Sequence, residues 1–241
     1  MAKPKREYIY GINPIFEVVR SGRRRIYQAV LNKATAKQPR LAKLASYLER
    51  RNIKIDWVEK GRVSDLAGSR EHQGAVLKVS PYPYAEFADV AGQPRLLLLD
   101  NVEDPHNLGA ILRSAEIFGF QHVLLPVKGT PDVYPSVVKV SAGATEHMTI
   151  CKDATANNYL KRVIDDGYIV VALDGGGDTD LSELEGFNAN KMLLVIGGED
   201  KAVGQFILNS AHHVVRISQR GRINSLNASV AAGIAMYELQ V

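Results

Sequence analysis

The chain has 241 residues, of which 46% are apolar and 23% are charged. This is the composition of an ordinary globular protein with one large domain or two small ones. A single cysteine, Cys151, excludes an internal disulfide and fits a reducing compartment. No apolar run approaches the roughly 20 residues that span a bilayer, and the basic N-terminus lacks the apolar core of a signal peptide. The sequence therefore predicts a soluble, cytoplasmic protein without a membrane segment.

Charge is distributed unevenly along the chain. The net charge is +4, but residues 1–80 hold 18 Lys and Arg against 7 Asp and Glu, a net charge of +11. The remaining residues hold 12 against 19, a net charge of −7. An excess of this size in a short segment favours binding to a polyanion such as nucleic acid. The alternative is a solvated basic face that has no partner.

Residues 1–80 predict a small α/β domain. Its helices are predicted at 13–22, 38–51 and 63–67, and its strands at 26–31, 53–58 and 74–79. Asn13 is expected to cap the first helix, with Pro14 at its first position. Tyrosines lie among the basic residues of this segment: Tyr8, Tyr10, Tyr27 and Tyr47. They could stack on unpaired bases or complete a small core, and the sequence favours neither.

Residues 81–94 are rich in proline and predict a stiff linker. A second domain is predicted over 95–241, where strands and helices alternate. Its strands are expected at 95–100, 121–126, 147–150, 168–173, 191–196 and 213–217, and its helices at 107–118, 134–141, 155–166, 202–209 and 226–239. Such alternation is typical of a mostly parallel sheet that helices cover on both faces.

Polar and glycine-bearing loops follow the strands of this second domain. The leucine run Leu96–Leu99 leads through a polar loop into a helix that carries Asn107 and Arg113, two residues that packing does not readily explain. Glycine loops at 174–177, 197–199 and 218–224 each follow an apolar strand. Three such loops at one sheet edge predict a shared pocket for a flat, neutral group such as adenine. The sequence contains no phosphate-binding P-loop, and its histidines show no metal-ligand spacing with Cys151, so no metal is expected.

Three stretches in this region together resemble one family. DPHNLGAILRSAEIFG (104–119), LVIGGEDKAVG (194–204) and VRISQRGRINSLNASVAAG (215–233) are similar, in this order, to the signature motifs of the SPOUT-class RNA 2′-O-ribose methyltransferases. YGINPIFEVV (10–19) resembles the opening of the ribosomal-protein-like RNA-binding domain that precedes the catalytic domain in several members. The resemblance implies a small RNA-binding domain followed by a methyltransferase domain with a trefoil knot.

The resemblance also assigns roles to residues. It implies that S-adenosylmethionine lies against the cofactor loops at Gly177, Gly197, Gly198, Ile217 and Leu226. The catalytic group that it implies is Asn107, Arg113, Glu199, Ser225 and Asn227. Arg113 would hold a phosphate or stabilise a developing alkoxide, because a guanidinium resists deprotonation.

The expected reaction is methylation of a ribose 2′-hydroxyl, with a guanosine of large-subunit ribosomal RNA as the substrate that the domain order favours. Members of the family work as dimers, so a homodimer is expected, with Val230, Ile234, Met236 and Tyr237 of the last helix as candidates for its interface.

Other interpretations remain open at this point. Ser225 or Asn227 could simply cap the last helix, Glu199 could complement a helix dipole, and Arg113 could pair with Glu116 or Glu103. Asp200 and Ala202 stand where the second motif usually has glycines. Two alternative functions follow: a transfer-RNA ribose methyltransferase, or a non-catalytic RNA-binding protein with the same fold.

Overall fold

A computed structural model describes residues 6–184, 186–187, 189–199, 201–223 and 225–240. Contacts divide the chain into two compact units. The first unit contains the chain up to Pro83 together with Val133–His147, and the second contains Tyr84–Asp132 and the chain from Met148 onwards. In the described residues, no helix has the length and apolar character needed to cross a bilayer.

The strands, in chain order, are β1 Glu7–Tyr10, β2 Ile26–Asn32, β3 Ile55–Val58, β4 Ala75–Val79, β5 Arg95–Asp100, β6 His122–Leu124, β7 Thr149–Cys151, β8 Ile169–Leu173, β9 Thr179–Asp180, β10 Met192–Gly197 and β11 His213–Arg216. The helices are α1 Ile12–Ser21, α2 Pro39–Arg50, α3 Lys60–Ala67, α4 Pro105–Ile117, α5 Pro135–Val140, α6 Ala156–Asp165, α7 Gln205–Ser210 and α8 Ala228–Glu238.

In the described part of the first unit, four strands form a sheet in the order β1-β4-β2-β3. Only β2 and β3 are parallel. Helix α1 begins after Gly11 and not at a capping Asn13, whose side chain instead accepts a hydrogen bond from Arg40 at 2.8 Å. Gly11 has φ +94°, a backbone conformation that favours glycine. Tyr10 is buried in the core, whereas the ring of Tyr27 lies beneath two arginines.

The segment Val133–His147 belongs to the first unit although it follows β5, β6 and α4 in sequence. It contributes α5, which packs against β1, and a 3₁₀ turn at Ala144–His147, which packs against α1. The sequence placed this segment in a domain running from 95 to 241. The proposed boundaries 1–80, 81–94 and 95–241 remain a prediction, and the packing of this segment differs from them.

A buried ion pair fastens the segment to the rest of the first unit. The guanidinium of Arg24 is fully buried and donates to both carboxylate oxygens of Glu146, at 3.0 and 2.7 Å. A further nitrogen of Arg24 donates to Glu7 at 2.6 Å, and the hydroxyl of Tyr82 donates to the carbonyl oxygen of Thr145 at 2.8 Å. Burial raises the pKa of the Glu146 carboxyl, and the charge of Arg24 opposes that shift. Removing Arg24 would leave the buried carboxylate of Glu146 without its bidentate partner, whereas removing Glu146 would leave Arg24 paired with Glu7 alone.

In the described part of the second unit, seven strands form one parallel sheet in the order β7-β6-β5-β10-β8-β11-β9. The leucine run Leu96–Leu99 of β5 is completely buried, as expected for an inner parallel strand. The predicted α/β fold with a mostly parallel sheet is confirmed. The segment 81–94 was predicted to be a linker, but from Tyr84 onwards it packs as part of the second unit. Val90 is buried in this unit, and Phe87 stacks on Tyr159 with ring centroids 6.2 Å apart.

The strand register places the loops that matter for function side by side. Asp100 at the end of β5 pairs with Gly197 at the end of β10, and Leu173 of β8 pairs with Ile196 of β10 and Val215 of β11. The carboxyl ends of these neighbouring strands therefore meet at one sheet edge. Ligands of open α/β sheets bind at such edges.

Candidate active site

A cavity of about 210 Å³ opens where the loops after β8, β10 and β11 meet. Of the predicted cofactor residues, Gly197, Gly198, Ile217 and Leu226 line it, and Gly177 does not. Of the predicted catalytic residues, Glu199 and Ser225 line it. Asp200 and Asn224, on which parts of the second and third motifs depend, lie outside the described residues.

Glycines let the loops approach one another more closely than other residues could. A Cβ on Gly198 would overlap the carbonyl oxygen of Asn101 in the loop after β5. A Cβ on Gly197 would lie 2.6 Å from the backbone nitrogen of Val203, and one on Gly177 would lie 2.7 Å from the carbonyl oxygen of Val214. Real Cβ atoms do not approach backbone this closely, so each position requires glycine. Gly177 therefore seats the loop after β8 against β11 and does not itself face the cavity.

The electrostatics of the cavity suit a positively charged or neutral ligand. Its walls include apolar side chains, such as Leu173 and Ile196, and two carboxylates, Asp174 and Glu199. Among the described lining residues there is no lysine or arginine. A nucleotide phosphate would find no cation there, whereas a cationic group would be attracted.

Three predicted catalytic residues form one hydrogen-bonded group beside the cavity. The amide nitrogen Nδ2 of Asn227 donates to Oδ1 of Asn107 at 3.0 Å and also to Oε1 of Glu199. Asn107 and Glu199 line a smaller cavity of about 50 Å³, which shares Gly198 and Glu199 with the first. The group therefore lies where the two cavities meet, and we refer to it as the amide–carboxylate group.

Asn227 also caps helix α8. Its Oδ1 accepts from the backbone nitrogens of Ser229 at 3.0 Å and Val230 at 3.3 Å. Oδ1 of Asn227 caps the helix while Nδ2 contacts Asn107 and Glu199, so the capping contact does not exclude the predicted catalytic role. Ser225 lies before the cap and lines the cavity, so the interpretation of Ser225 as the cap is wrong.

Of the predicted catalytic residues, Arg113 is the one that neither belongs to this group nor lines a cavity beside it. It is exposed on α4 and lines neither cavity. It makes no side-chain hydrogen bond or ion pair with another described residue, and Glu103, one of the partners considered for it, pairs with Lys201 at 2.8 Å. Among the described residues, the surface pairing considered as an alternative is therefore formed neither with Glu116 nor with Glu103.

Helices α4 and α8 pack against each other and share an exposed apolar patch. We define this helix patch by the side chains of Ile117, Val230, Ile234 and Tyr237, which are 64%, 50%, 36% and 58% exposed. The ring of Tyr237 contacts Phe118 edge-on, with centroids 5.8 Å apart. Met236, predicted to belong to the same surface, is buried instead, because it lies on the face of α8 that turns to the core.

Asp100 is a buried residue at this sheet edge that the sequence patterns did not single out. This carboxylate is 7% exposed, and its Oδ2 accepts from the backbone nitrogen of Gly204 at 2.9 Å, which ties the loop after β10 to the end of β5. Burial raises its pKa, and the hydrogen bond from Gly204 acts in the opposite direction. The sequence feature that could have pointed to Asp100 is its position directly after the four leucines of the buried strand. Within the described residues, no cluster of three or more His, Cys, Asp or Glu side chains could hold a metal ion.

The sequence matches models of known protein families along most of the chain. Residues 94–237 match the SpoU rRNA methylase family, and residues 8–85 match the RNA 2′-O ribose methyltransferase substrate-binding family. An uncharacterized tRNA/rRNA methyltransferase of Mycobacterium avium (strain 104) is 35% identical over 241 residues, which cover 97% of this chain and 76% of the relative. A Bacillus subtilis (strain 168) protein named for the TrmH family of tRNA/rRNA methyltransferases is 30% identical over 240 residues, which cover 97% of this chain and 94% of the relative.

The fold is shared with a solved structure of the same kind. The AdoMet-bound rRNA methyltransferase from Sinorhizobium meliloti superposes with a TM-score of 0.80 at 23% identity, over 97% of this chain and 86% of the other. At this identity the similarity concerns the fold alone. The family matches and the curated relatives carry the assignment: the chain belongs to the SpoU family of RNA 2′-O-ribose methyltransferases.

Proposed function

We propose that this protein transfers a methyl group from S-adenosylmethionine to the 2′-hydroxyl of a ribose in large-subunit ribosomal RNA, with a guanosine as the modified nucleotide. The observation that carries the proposal is the amide–carboxylate group of Asn107, Asn227 and Glu199 at the junction of two cavities. The basic first unit is the proposed RNA-binding part, and the cytoplasm is the proposed compartment.

The larger cavity fits S-adenosylmethionine by its chemistry. Its apolar walls and glycine backbones suit the flat adenine ring, and its carboxylates suit a cationic ligand. Bound there, S-adenosylmethionine supplies a methyl group already activated on a cationic sulfur. We propose that the contacts between the glycine loops belong to a trefoil knot, as in the SPOUT class. That the close approaches at Gly177 and Gly198 join loops distant in sequence supports this proposal.

The proposed chemistry needs positioning and help with one proton. Asn107 and Asn227 offer amide groups that could orient the ribose beside the cavity, and Glu199 could hold a water or a guanidinium there. The ribose hydroxyl is a very weak acid, so a positive charge near its oxygen would stabilise the developing alkoxide. Arg113 is the cation that the family resemblance assigns to this task.

We propose that Arg113 acts in the site of a second copy of the chain. Arg113 is exposed on α4, the helix that carries Ile117 of the helix patch, and a symmetric dimer through this patch would present Arg113 to the partner. The exposure of four apolar side chains on two packed helices supports a protein interface.

Mixed dimers test whether Arg113 acts across the interface. Arg113→Ala and Asn227→Ala homodimers are both expected to be inactive. After co-refolding in equal amounts, heterodimers should hold one intact site each, so about a quarter of the wild-type activity should return. Methyl transfer from tritiated S-adenosylmethionine to ribosomal RNA measures the recovery. Activity that stays at the level of the separate variants contradicts action across the interface.

The two functions of Asn227 can be separated by substitution. Asn227→Ser keeps a capping oxygen but loses the amide donor to Asn107 and Glu199, whereas Asn227→Ala loses both. We expect methylation to fall by a factor of about 100 in either variant, because the group loses its positioning contact. Only the alanine variant should lose helix-cap stability, about 1 kcal/mol in urea unfolding. A serine variant with wild-type activity would show that Asn227 is only a cap.

The substrate is tested by mapping 2′-O-methyl sites in total RNA from cells with and without this protein. A site in large-subunit ribosomal RNA that depends on the protein supports the proposal. A site in transfer RNA supports the alternative methyltransferase, which the combined tRNA/rRNA names of the relatives leave open. Absence of any changed site, with no binding of S-adenosylmethionine in calorimetry, supports the non-catalytic alternative.

A further inference from the structure

Two adjoining cavities in the first unit share Ile12 and Arg40. The larger has a volume of about 570 Å³ and the smaller about 400 Å³. Their lining brings together cations from α1, α2, α3 and the loop before β4, which we name the basic track: Arg20, Arg40, Lys43, Lys60 and Arg70.

Most of this charge is not neutralised by acidic neighbours. Among the described residues that line the larger cavity, none is acidic. In the smaller cavity the acid is Glu17, which pairs with Arg20 at 2.6 Å and approaches His147 at 2.9 Å. Arg40 donates to the neutral Oδ1 of Asn13 at 2.8 Å, a bond that orients the guanidinium without removing its charge. Arg40 lies at the junction of the cavities, and its oriented guanidinium can still bind an anion.

The beginning of helix α2 adds to the positive field of the larger cavity. Gln38 and Pro39 line this cavity at the first turn of α2, and no side chain caps the helix there. Backbone N–H groups at a helix start favour anions. Here they reinforce a cationic lining that exists without them.

Lys139 adds a cation from the segment Val133–His147. A Cβ on Gly11 would lie 2.8 Å from its ammonium nitrogen and 3.3 Å from Oε1 of Gln73, which lines the larger cavity. Burial lowers the pKa of Lys139, with Glu71 raising it and Arg40 lowering it. Within the described residues this ammonium makes no hydrogen bond or ion pair, although it is half-buried. A partly buried ammonium destabilises the fold unless an anion pairs with it.

We propose that the basic track and Lys139 bind successive phosphates of the RNA substrate. This inference rests on the proposed function and names its RNA-binding surface. An elongated double cavity with cations along its length fits a phosphodiester strand better than a single phosphate. Lys139 lies in the stretch that matches the methylase family, but it belongs to the first unit and adds a cation to the proposed RNA site there.

The test measures RNA affinity against salt concentration with the full-length protein. The probe is a fluorescein-labelled transcript of large-subunit ribosomal RNA. The variants are Arg40→Ala and Lys139→Gln. The matched controls are Arg50→Ala, at the opposite end of α2, and Lys54→Gln, an exposed lysine on the same unit. Calorimetry with S-adenosylmethionine and thermal unfolding accompany every variant.

Arg40→Ala and Lys139→Gln should each weaken binding about fivefold and lower the slope of log affinity against log salt by about 0.7, the loss of one phosphate contact. The controls should keep the wild-type slope, and all variants should keep wild-type affinity for S-adenosylmethionine. Unchanged slopes for both variants, with a wild type that binds and methylates RNA, overturn the inference and leave the proposed function intact. If instead the variants lose binding only to poly-L-glutamate, the track is a protein-docking surface. A wild type that neither binds nor methylates RNA defeats the proposed function itself.

Discussion

Replacing Gly198 by alanine is expected to lower the affinity for S-adenosylmethionine about 100-fold or more. The added Cβ would overlap the carbonyl oxygen of Asn101 and lie 3.3 Å from that of Lys201. Backbone cannot yield locally at both points, so the loop after β10 must move. Because Glu199 is the next residue, the movement displaces both the cavity wall and the amide–carboxylate group. Isothermal titration calorimetry measures the first loss, and the methylation assay measures the second.

Gly221→Ala is the matched control for this experiment. Gly221 lies in the loop after β11 but does not line the cavity, and a Cβ there would approach no atom closer than the backbone nitrogen of Ile223 at 4.0 Å. This variant should bind S-adenosylmethionine as the wild type does. If Gly198→Ala also binds normally, the proposed cavity is not where the cofactor lies.

Replacing Arg24 by alanine is expected to cost about 3–5 kcal/mol of unfolding free energy. The substitution leaves the fully buried carboxylate of Glu146 without its bidentate partner and removes the contact to Glu7. Trp57 is the single tryptophan of the chain and lies in β3 of the first unit, so its fluorescence in urea reports the unfolding of this unit.

Arg25→Ala is the control for charge, because Arg25 is exposed beside the ring of Tyr27. It should change the stability by less than about 0.5 kcal/mol. The double replacement Arg24→Met with Glu146→Leu should recover much of the loss, since it removes both buried charges together. A loss below about 1 kcal/mol for Arg24→Ala would show that the pair does not hold Val133–His147 in place.

Local patterns were sufficient for most of the secondary structure. Leu96–Leu99 was predicted as a buried strand because an apolar run of this length between polar residues has few other uses, and it is completely buried. Strand β1 was missed, since Glu7–Tyr10 is four residues long and lies at an edge, where pairing with β4 rather than its own pattern defines it. Strand β9 was missed for the same reason, because Thr179–Asp180 is defined by its pairing with β11.

The site was accessible from sequence where its residues share one loop or one helix start. Gly197, Gly198 and Glu199 follow an apolar strand directly, so their place at the sheet edge followed from the pattern. The sequence pattern could not decide whether Ser225 or Asn227 caps the last helix, because both residue types cap helices. Arg113 remains a prediction, because its function depends on a second copy of the chain.

By itself the sequence determined the order of strands and helices, the parallel α/β architecture and the asymmetric charge, since each follows from neighbouring residues and their periodicity. Only the tertiary structure decided that Asn107 meets Asn227 across 120 positions and that Arg24 meets Glu146 across 122. It also decided that Val133–His147 packs with the first unit. These contacts form because distant segments meet in space and bury or satisfy polar groups together, and no pattern in either segment alone records its partner.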